Sequence, residues 1–254
     1  MYRLLLLWWL CCQAAAQESL VVGWGDWQPF SYRNEQHQLQ GLDIELLNAI
    51  LQRADYQARF IEMPWTRVLH ELEFGTVQLA MSANITTERQ QYARFSHAYR
   101  EEETVIIIRK EDEERWRNIT TLEQLINTPD FHIGLLKGFD YGEAFRRLVA
   151  DPKVKPRLQE RFTLEQLLKM LNGGRIQGFI LDPNSLQEWE HQGITLKKLH
   201  ILLHIERTPV HLMLSKKSTS QAQLNRLNQA IDQLKQSPEY QQILTRYTSG
   251  LLAE

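Results

Sequence analysis

Residues 84–99 read NITTERQQYARFSHAY, and this stretch decides how the rest of the chain is read. Thr87 and Gln90 stand at capping-box spacing, in which each side chain satisfies an orphan amide at a helix start. Arg89 falls inside that first turn, where the helix macrodipole already presents partial positive charge and a cation is mildly unfavourable. The placement raises the question of whether an anion is expected at that spot.

On either side of this stretch the chain alternates β-rich runs with capped amphipathic segments, the pattern of an α/β fold with mostly parallel sheets. Leu20–Trp24 reads as a strand, Asp43–Ala54 as a helix with Ile44, Leu47 and Leu51 on one face, and Gln57–Glu62 as a second strand. A helix follows from Pro64 to Phe74, since proline suits the first helical position. Val77–Ala80 reads as a buried strand leading to Asn84, and Thr104–Arg109 is strongly β-branched. A second series begins with a capping box at Thr121 and Gln124, then a strand over Phe131–Leu136 ending in Lys137-Gly138. Asp140 and Glu143 open a helix. Thr163 and Gln166 cap another, which stops at Asn172-Gly173-Gly174 as a left-handed cap would. Strands over Ile176–Leu181 and Val210–Leu214, a helix carrying Leu224, Leu227, Ile231 and Leu234, and a last helix from Pro238 to about Tyr247 complete the chain. Asn84–Arg89, Lys137-Gly138 and Asp182 all fall just past the carboxyl ends of expected strands. In open α/β sheets that edge forms ligand crevices.

The amino terminus reads as an export signal, with Arg3 as its positive region, Leu4–Cys12 as its apolar core and cleavage after Ala16. A lipoprotein anchor at Cys11 competes with that reading, but Trp9 and Leu10 are bulky where such a signal wants small residues. Cleavage removes both cysteines, Cys11 and Cys12, and with them disulfides, thiolate metal sites and cysteine nucleophiles. Of 254 residues, 29 are Lys or Arg and 31 Asp or Glu, so losing Arg3 takes the net charge from −2 to −3. With no basic block, nucleic acid is not an expected partner. The eight histidines show no metal-ligand spacing, His200 and His204 being four apart in a β-rich run. No phosphate loop or Gly-x-Ser-x-Gly elbow is present, and neither a metal nor a cofactor is expected.

Gly41-Leu42-Asp43-Ile44-Glu45-Leu46, continuing to Ile50 and Ala54, resembles the first signature of the periplasmic solute-binding proteins of ABC importers, in their polar-amino-acid branch (family 3). Asn84–Arg89 followed by Phe95-Ser96-His97-Ala98-Tyr99 is similar to the second, T-x-x-R with F-S-x-P-Y. Leu51, Ala98 (for proline) and Gln78 (for aspartate) depart from the pattern. The resemblance covers the mature chain. It implies a two-lobed, type II periplasmic-binding-protein fold, with two mostly parallel sheets flanked by helices and joined by two crossover strands. With crossovers near Ile107–Arg109 and His204–Arg207, residues 17–107 and 208–254 would form lobe one and 108–207 lobe two.

The same resemblance implies the site. Arg89 would pair with a ligand α-carboxylate, and Asp182 would receive its α-ammonium, although Asp182-Pro183-Asn184-Ser185 is also an ordinary turn and capping sequence. Trp27 and Trp65 would sandwich the ligand, while Trp24, Trp116 and Trp189 are assigned to packing. Ser82 and Asn84 would add loop contacts, Asp26 a polar contact, Lys137 a contact from lobe two, and Arg67 a second cation. The implied function is an exported, periplasmic, monomeric binding protein that closes over an amino acid or similar zwitterion or carboxylate. It would serve an ABC permease of the inner membrane without catalysis. A cyclohexadienyl dehydratase on the same scaffold and a stand-alone ligand sensor are the alternatives.

Overall fold

The computed structural model describes residues 18–186 and 198–247. The expected leader, residues 1–16, and Trp189 lie outside the described residues. In the first half, β1 spans Glu18–Trp24, the short hairpin pair β2 and β3 spans Tyr32–Arg33 and Leu39–Gln40, and α1 spans Leu42–Arg53. Next come β4 (Tyr56–Glu62), α2 (Trp65–Phe74), β5 (Leu79–Ala83) and the single turn α3 (Arg89–Tyr92). The long strand β6 (Ala93–Arg109) leads into α4 (Glu113–Trp116), α5 (Leu122–Ile126), β7 (Ile133–Leu136) and α6 (Glu143–Val149). Then follow β8 (Leu158–Arg161), α7 (Leu164–Asn172), β9 (Gly178–Leu181), β10 (Leu199–Ser215), α8 (Gln221–Lys235) and α9 (Pro238–Tyr247).

The helix stripes expected from the sequence are the buried ones. Ile44, Leu47 and Leu51 of α1 are 0–2 % exposed, as are Leu227, Ile231 and Leu234 of α8. α2 begins after Pro64 and ends at Gly75, whose φ of 87° makes the left-handed cap, a conformation glycine adopts without steric penalty. Thr121 and Thr163 cap α5 and α7 by accepting from the amides of Gln124 and Gln166, with the reciprocal box complete at Thr121.

Two helix starts differ from expectation. At α3 the Thr87–Gln90 box does not form; Thr86 Oγ1 instead accepts from the Arg89 amide at 3.1 Å. With only one turn, α3 carries little macrodipole, so Arg89 meets no strong positive field there. At α6 the helix starts at Glu143, because Asp140 Oδ1 accepts from the Gly142 amide at 3.1 Å in a local turn. Gly142, at φ 94°, then precedes the helix.

The sheet runs β4-β1-β5-β10-β6-β9-β7-β8. β4, β1 and β5 are parallel to one another, as are β8, β7 and β9. Between these trios β6 and β10 pair antiparallel from Leu199–Arg109 to Ser215–Ala93. The crossovers are therefore two 17-residue strands rather than short links, and they stitch two parallel half-sheets into one hydrogen-bonded sheet. The sequence showed only Thr104–Arg109 of β6, because residues 100–103 are charged and have low strand propensity. A ladder along β10 outweighs that preference.

Apolar packing follows the half-sheets. Two clusters draw on residues 20–99 and 210–243, around α1, α2 and α8. Two more draw on residues 105–186, around α5, α6 and α7. Trp27 touches clusters of both kinds.

Candidate functional site

All six parallel strands deliver their carboxyl ends to one cavity of about 720 Å³. Past β1 come Asp26 and Trp27; past β4, Met63, Pro64 and Trp65; past β5, Asn84 and then Arg89. From the other half-sheet come Phe139 and Asp140 past β7, Phe162 to Glu165 past β8, and Ser185 past β9. Glu102, from the crossover β6, opens on the same space.

Arg89 is 6 % exposed. Its Nη1 donates to the Asn84 carbonyl at 3.0 Å, and its Nη2 donates across the cleft to the Gly138 carbonyl at 2.9 Å. The guanidinium stands 5.6 Å from the Trp65 ring centre. Among the described residues it forms no ion pair. Burial pushes its pKa down, and the charge of Asp140 opposes that shift. A buried cation facing a cavity, with carbonyl partners only, favours an incoming anion, whose charge-assisted bonds to it are strong.

The two half-sheets also meet at Trp65 and Asn84. Trp65 Nε1 donates to the Gly138 carbonyl at 3.0 Å, and Asn84 Nδ2 donates to the Asp140 carbonyl at 2.8 Å. Phe139 lies between the two expected aromatic walls, its ring centre 5.1 Å from Trp27 and 6.0 Å from Trp65. Rather than leaving a slot between two indoles, the molecule builds a three-ring wall.

Asn84 Oδ1, Ser185 Oγ and Trp24 Nε1 are buried without a hydrogen-bond partner among the described residues, and all three residues line the cavity. Such groups normally find partners, so the cavity is prepared for a polar occupant.

Ser82 lines the cavity too, but its hydroxyl is committed. It donates to Asp43 Oδ2 and accepts from Arg100 Nη2 at 2.8 Å. Its φ of 51° is a conformation non-glycine residues rarely adopt; the Ser82 amide donates to Tyr99 Oη at 3.0 Å. Asp26 is exposed at the cavity rim.

Three expected contacts fall elsewhere. Asp182 is 6 % exposed but does not line the cavity. Its carboxylate accepts from the Glu103 amide at 3.1 Å, the Asn184 amide at 2.8 Å and Asn184 Nδ2 at 2.9 Å. Those donors hold it as the cap of the turn at Pro183–Leu186. Burial nonetheless raises its pKa, with Arg100 working against the shift. Lys137 is exposed, its Nζ 5.2 Å from the Phe162 ring centre. Arg67, on α2, does not line the cavity and pairs with Glu71 one helical turn on at 2.5 Å. Trp24 and Trp116 are buried, as packing residues should be, although Trp24 also reaches the cavity wall.

Sequence reasoning missed Phe139, Asp140 and Glu102 as lining residues. Glu102 was legible only through strand alternation. Once β6 is known to begin at Ala93, Arg100, Glu102 and Thr104 fall on one face and Glu101 and Glu103 on the other. Burial raises the Glu102 pKa to about 8; Asp182 and Asp43 add to the effect, while Arg100 and Arg89 oppose it. Among the described residues, no group could assemble a metal site, and no helix is long and apolar enough to cross a membrane.

A two-sided cleft at the strand carboxyl ends, with a buried cation and aromatic rings on its walls, is the arrangement of a solute-capturing protein. Residues 20–250 match the bacterial extracellular solute-binding proteins, family 3, and the chain belongs to that family. It is 21 % identical over 235 residues to a probable histidine-binding protein of Neisseria gonorrhoeae, covering 89 % of this chain and 81 % of that one. To an arginine-binding periplasmic protein of Mannheimia haemolytica it is 20 % identical, covering 94 % and 95 %. A cyclohexadienyl dehydratase of Pseudomonas aeruginosa matches at 26 % over 105 residues only, 41 % of this chain and 39 % of that one. Among solved structures, a histidine kinase sensor domain with similarity to periplasmic binding proteins superposes with a TM-score of 0.75 at 16 % identity, covering 92 % and 97 %.

Proposed function

We propose that this protein captures an amino acid in the cavity and delivers it to an ABC permease, acting in the periplasm after its leader is removed. The observation that carries the reading is Arg89, a buried guanidinium on the cavity wall that no carboxylate of the described residues neutralises. It would take the ligand carboxylate, while Trp27, Trp65 and Phe139 supply apolar contact. The names of the histidine- and arginine-binding relatives agree with an amino-acid ligand.

Two lobes, 17–107 with 208–254 and 108–207, would rock about the crossovers β6 and β10. The apolar clusters divide close to those boundaries, with Val105, Ile106 and Ile107 packing on the lobe-two side, which supports this. The bonds from Trp65, Arg89 and Asn84 to residues 138–140 would then be contacts of a closed form. A ligand shifts such an equilibrium only by its preference for the closed state.

The test is a thermal-shift and calorimetric screen of ligand-stripped, refolded protein against the common amino acids. At a hundred times its dissociation constant, a ligand adds about 2.7 kcal/mol of stability. Arg89→Ala is expected to weaken binding of the best hit roughly 10- to 100-fold, the worth of a charged hydrogen-bond pair. Unchanged affinity would remove Arg89 from the carboxylate site.

A dehydratase reading draws on one feature, Glu102, a carboxyl on the cavity wall without an ion-pair partner among the described residues, whose pKa burial raises as a general acid requires. Product formed from prephenate or arogenate would establish it. Sustained incubation without turnover rules it out.

A further inference from the structure

Glu102 stands alone among the acids on the cavity wall. Asp43 is paired with Arg100, Glu62 with Arg33, Asp140 with Arg146 and Glu165 with Lys169, and Asp26 at the rim is not free either. The Glu102 carboxylate, by contrast, makes no hydrogen bond or ion pair with any described residue, although it faces the same space as Arg89. The same cavity holds a second acceptor without a donor: Asn84 is 7 % exposed, lines the cavity and leaves Oδ1 unsatisfied.

We propose that Glu102 receives a cationic nitrogen of the bound molecule, so that the cavity selects a basic amino acid, one carrying net positive charge. The inference rests on the amino-acid reading above and adds to it the residue that sets ligand charge. The groups around Glu102 carry the argument. From its own strand comes Arg100, on the same face; from α1, Asp43; from the turn past β9, Asp182; from α3, Arg89; and from the loop before α6, the Tyr141 phenol. Arg100 and Asp43 cancel each other at 2.7 Å. That leaves Arg89 against two carboxyl groups, Glu102 and Asp182. A zwitterion carries no net charge and leaves one acid in excess, which has to remain protonated. A basic amino acid brings the missing positive charge, with its carboxylate on Arg89 and a nitrogen cation on Glu102.

Proton release follows. In the empty cleft Glu102 holds its proton up to about pH 8, and a cation beside it favours the charged form. Capture of a basic amino acid near pH 7 therefore expels close to one proton. Capture of a neutral one does not.

Isothermal titration of the ligand-stripped protein with L-arginine, L-glutamine and L-glutamate, at pH 7 in phosphate and in Tris, tests both parts. The difference in apparent heat between the buffers counts the protons released. L-Arginine is expected to bind most tightly, with proton release, and Glu102→Gln to weaken it at least tenfold and abolish the release. Glu102→Ala repeats the test without the amide, and a thermal melt of each variant confirms that it is folded. Tighter binding of L-glutamine or L-glutamate by the wild type, or unchanged L-arginine affinity in a folded Glu102→Gln, overturns the assignment and leaves the amino-acid reading standing. Binding of none of the three, nor of L-lysine or L-histidine, overturns the assignment, and binding of no common amino acid at all overturns both.

Discussion

Arg100 and Asp43 face each other as a desolvated bidentate pair, Nε to Oδ1 at 2.7 Å and Nη2 to Oδ2 at 2.9 Å, with both side chains 2 % exposed. Asp43 belongs to α1 and Arg100 to the crossover β6, so the pair ties the first helix to the strand joining the half-sheets. Tyr99 Oη donates to Asp43 Oδ1 at 2.6 Å, and the Ser82 hydroxyl bridges both partners. Burial works against the charge on Arg100, but Asp43 outweighs it and holds the Arg100 pKa well above its ordinary value.

Breaking this pair leaves an uncompensated charge in the interior. Asp43→Leu or Arg100→Leu alone is expected to lower stability by about 3–5 kcal/mol. The double variant is expected to be less damaging than the two single effects added together, as coupled sites require. Urea unfolding of the four proteins gives the coupling; additive effects would show that the pair contributes nothing of its own.

Glu102 makes stability depend on pH in the unusual direction for a carboxylate. Its folded pKa of about 8 lies above the unfolded value, so between about pH 4.5 and 8 the unfolded chain gives up that proton while the folded protein keeps it. Its contribution to stability therefore falls as pH rises through that window. Glu102→Gln is expected to melt close to the wild type at pH 5. At pH 8.5 it is expected to melt a few degrees higher, reflecting ~1–2 kcal/mol. Equal melting temperatures at both values would contradict the charge assignment.

Gly41 opens α1 at φ 129°, and a Cβ there would stand 2.3 Å from the Phe30 carbonyl oxygen. Neither the conformation nor the backbone contact can yield cheaply. Gly41→Ala is expected to cost ~2 kcal/mol or more, read by chemical denaturation. A loss below ~0.5 kcal/mol would mean that the Phe30 loop moves freely.

Phe139 packs in tilted contact against Trp27 and Trp65 within the cavity wall. Phe139→Ala removes that contact and exposes both indoles to water. Tryptophan emission is expected to move to longer wavelength, with ~1 kcal/mol lost for the ring contacts. An unchanged spectrum would show that the indoles are shielded by other groups.

The sequence already held most of the element order, because the longer helices carry their own apolar stripes and several carry a cap or stop signal. The stripe of α1, the proline before α2 and the cap at Thr163 are local features, and the structure realises all three. The family signatures likewise brought Arg89, Trp27, Trp65, Ser82 and Asn84 to the cavity wall. Those residues sit at strand ends, where topology alone brings them together.

Charge assignments were another matter. Asp182 fits the ligand pattern in sequence, yet three N–H donors from Glu103 and Asn184 claim its carboxylate. Glu102 lies in a run of three glutamates that looks like a solvated surface, and only the pairing of β6 with β10 turns it towards the cavity. What the chain determined by itself was local: periodicity, caps and the residues at strand ends. What tertiary structure decided was which charges keep a partner and which face empty space, since hydrogen bonding and desolvation depend on neighbours that are distant along the chain.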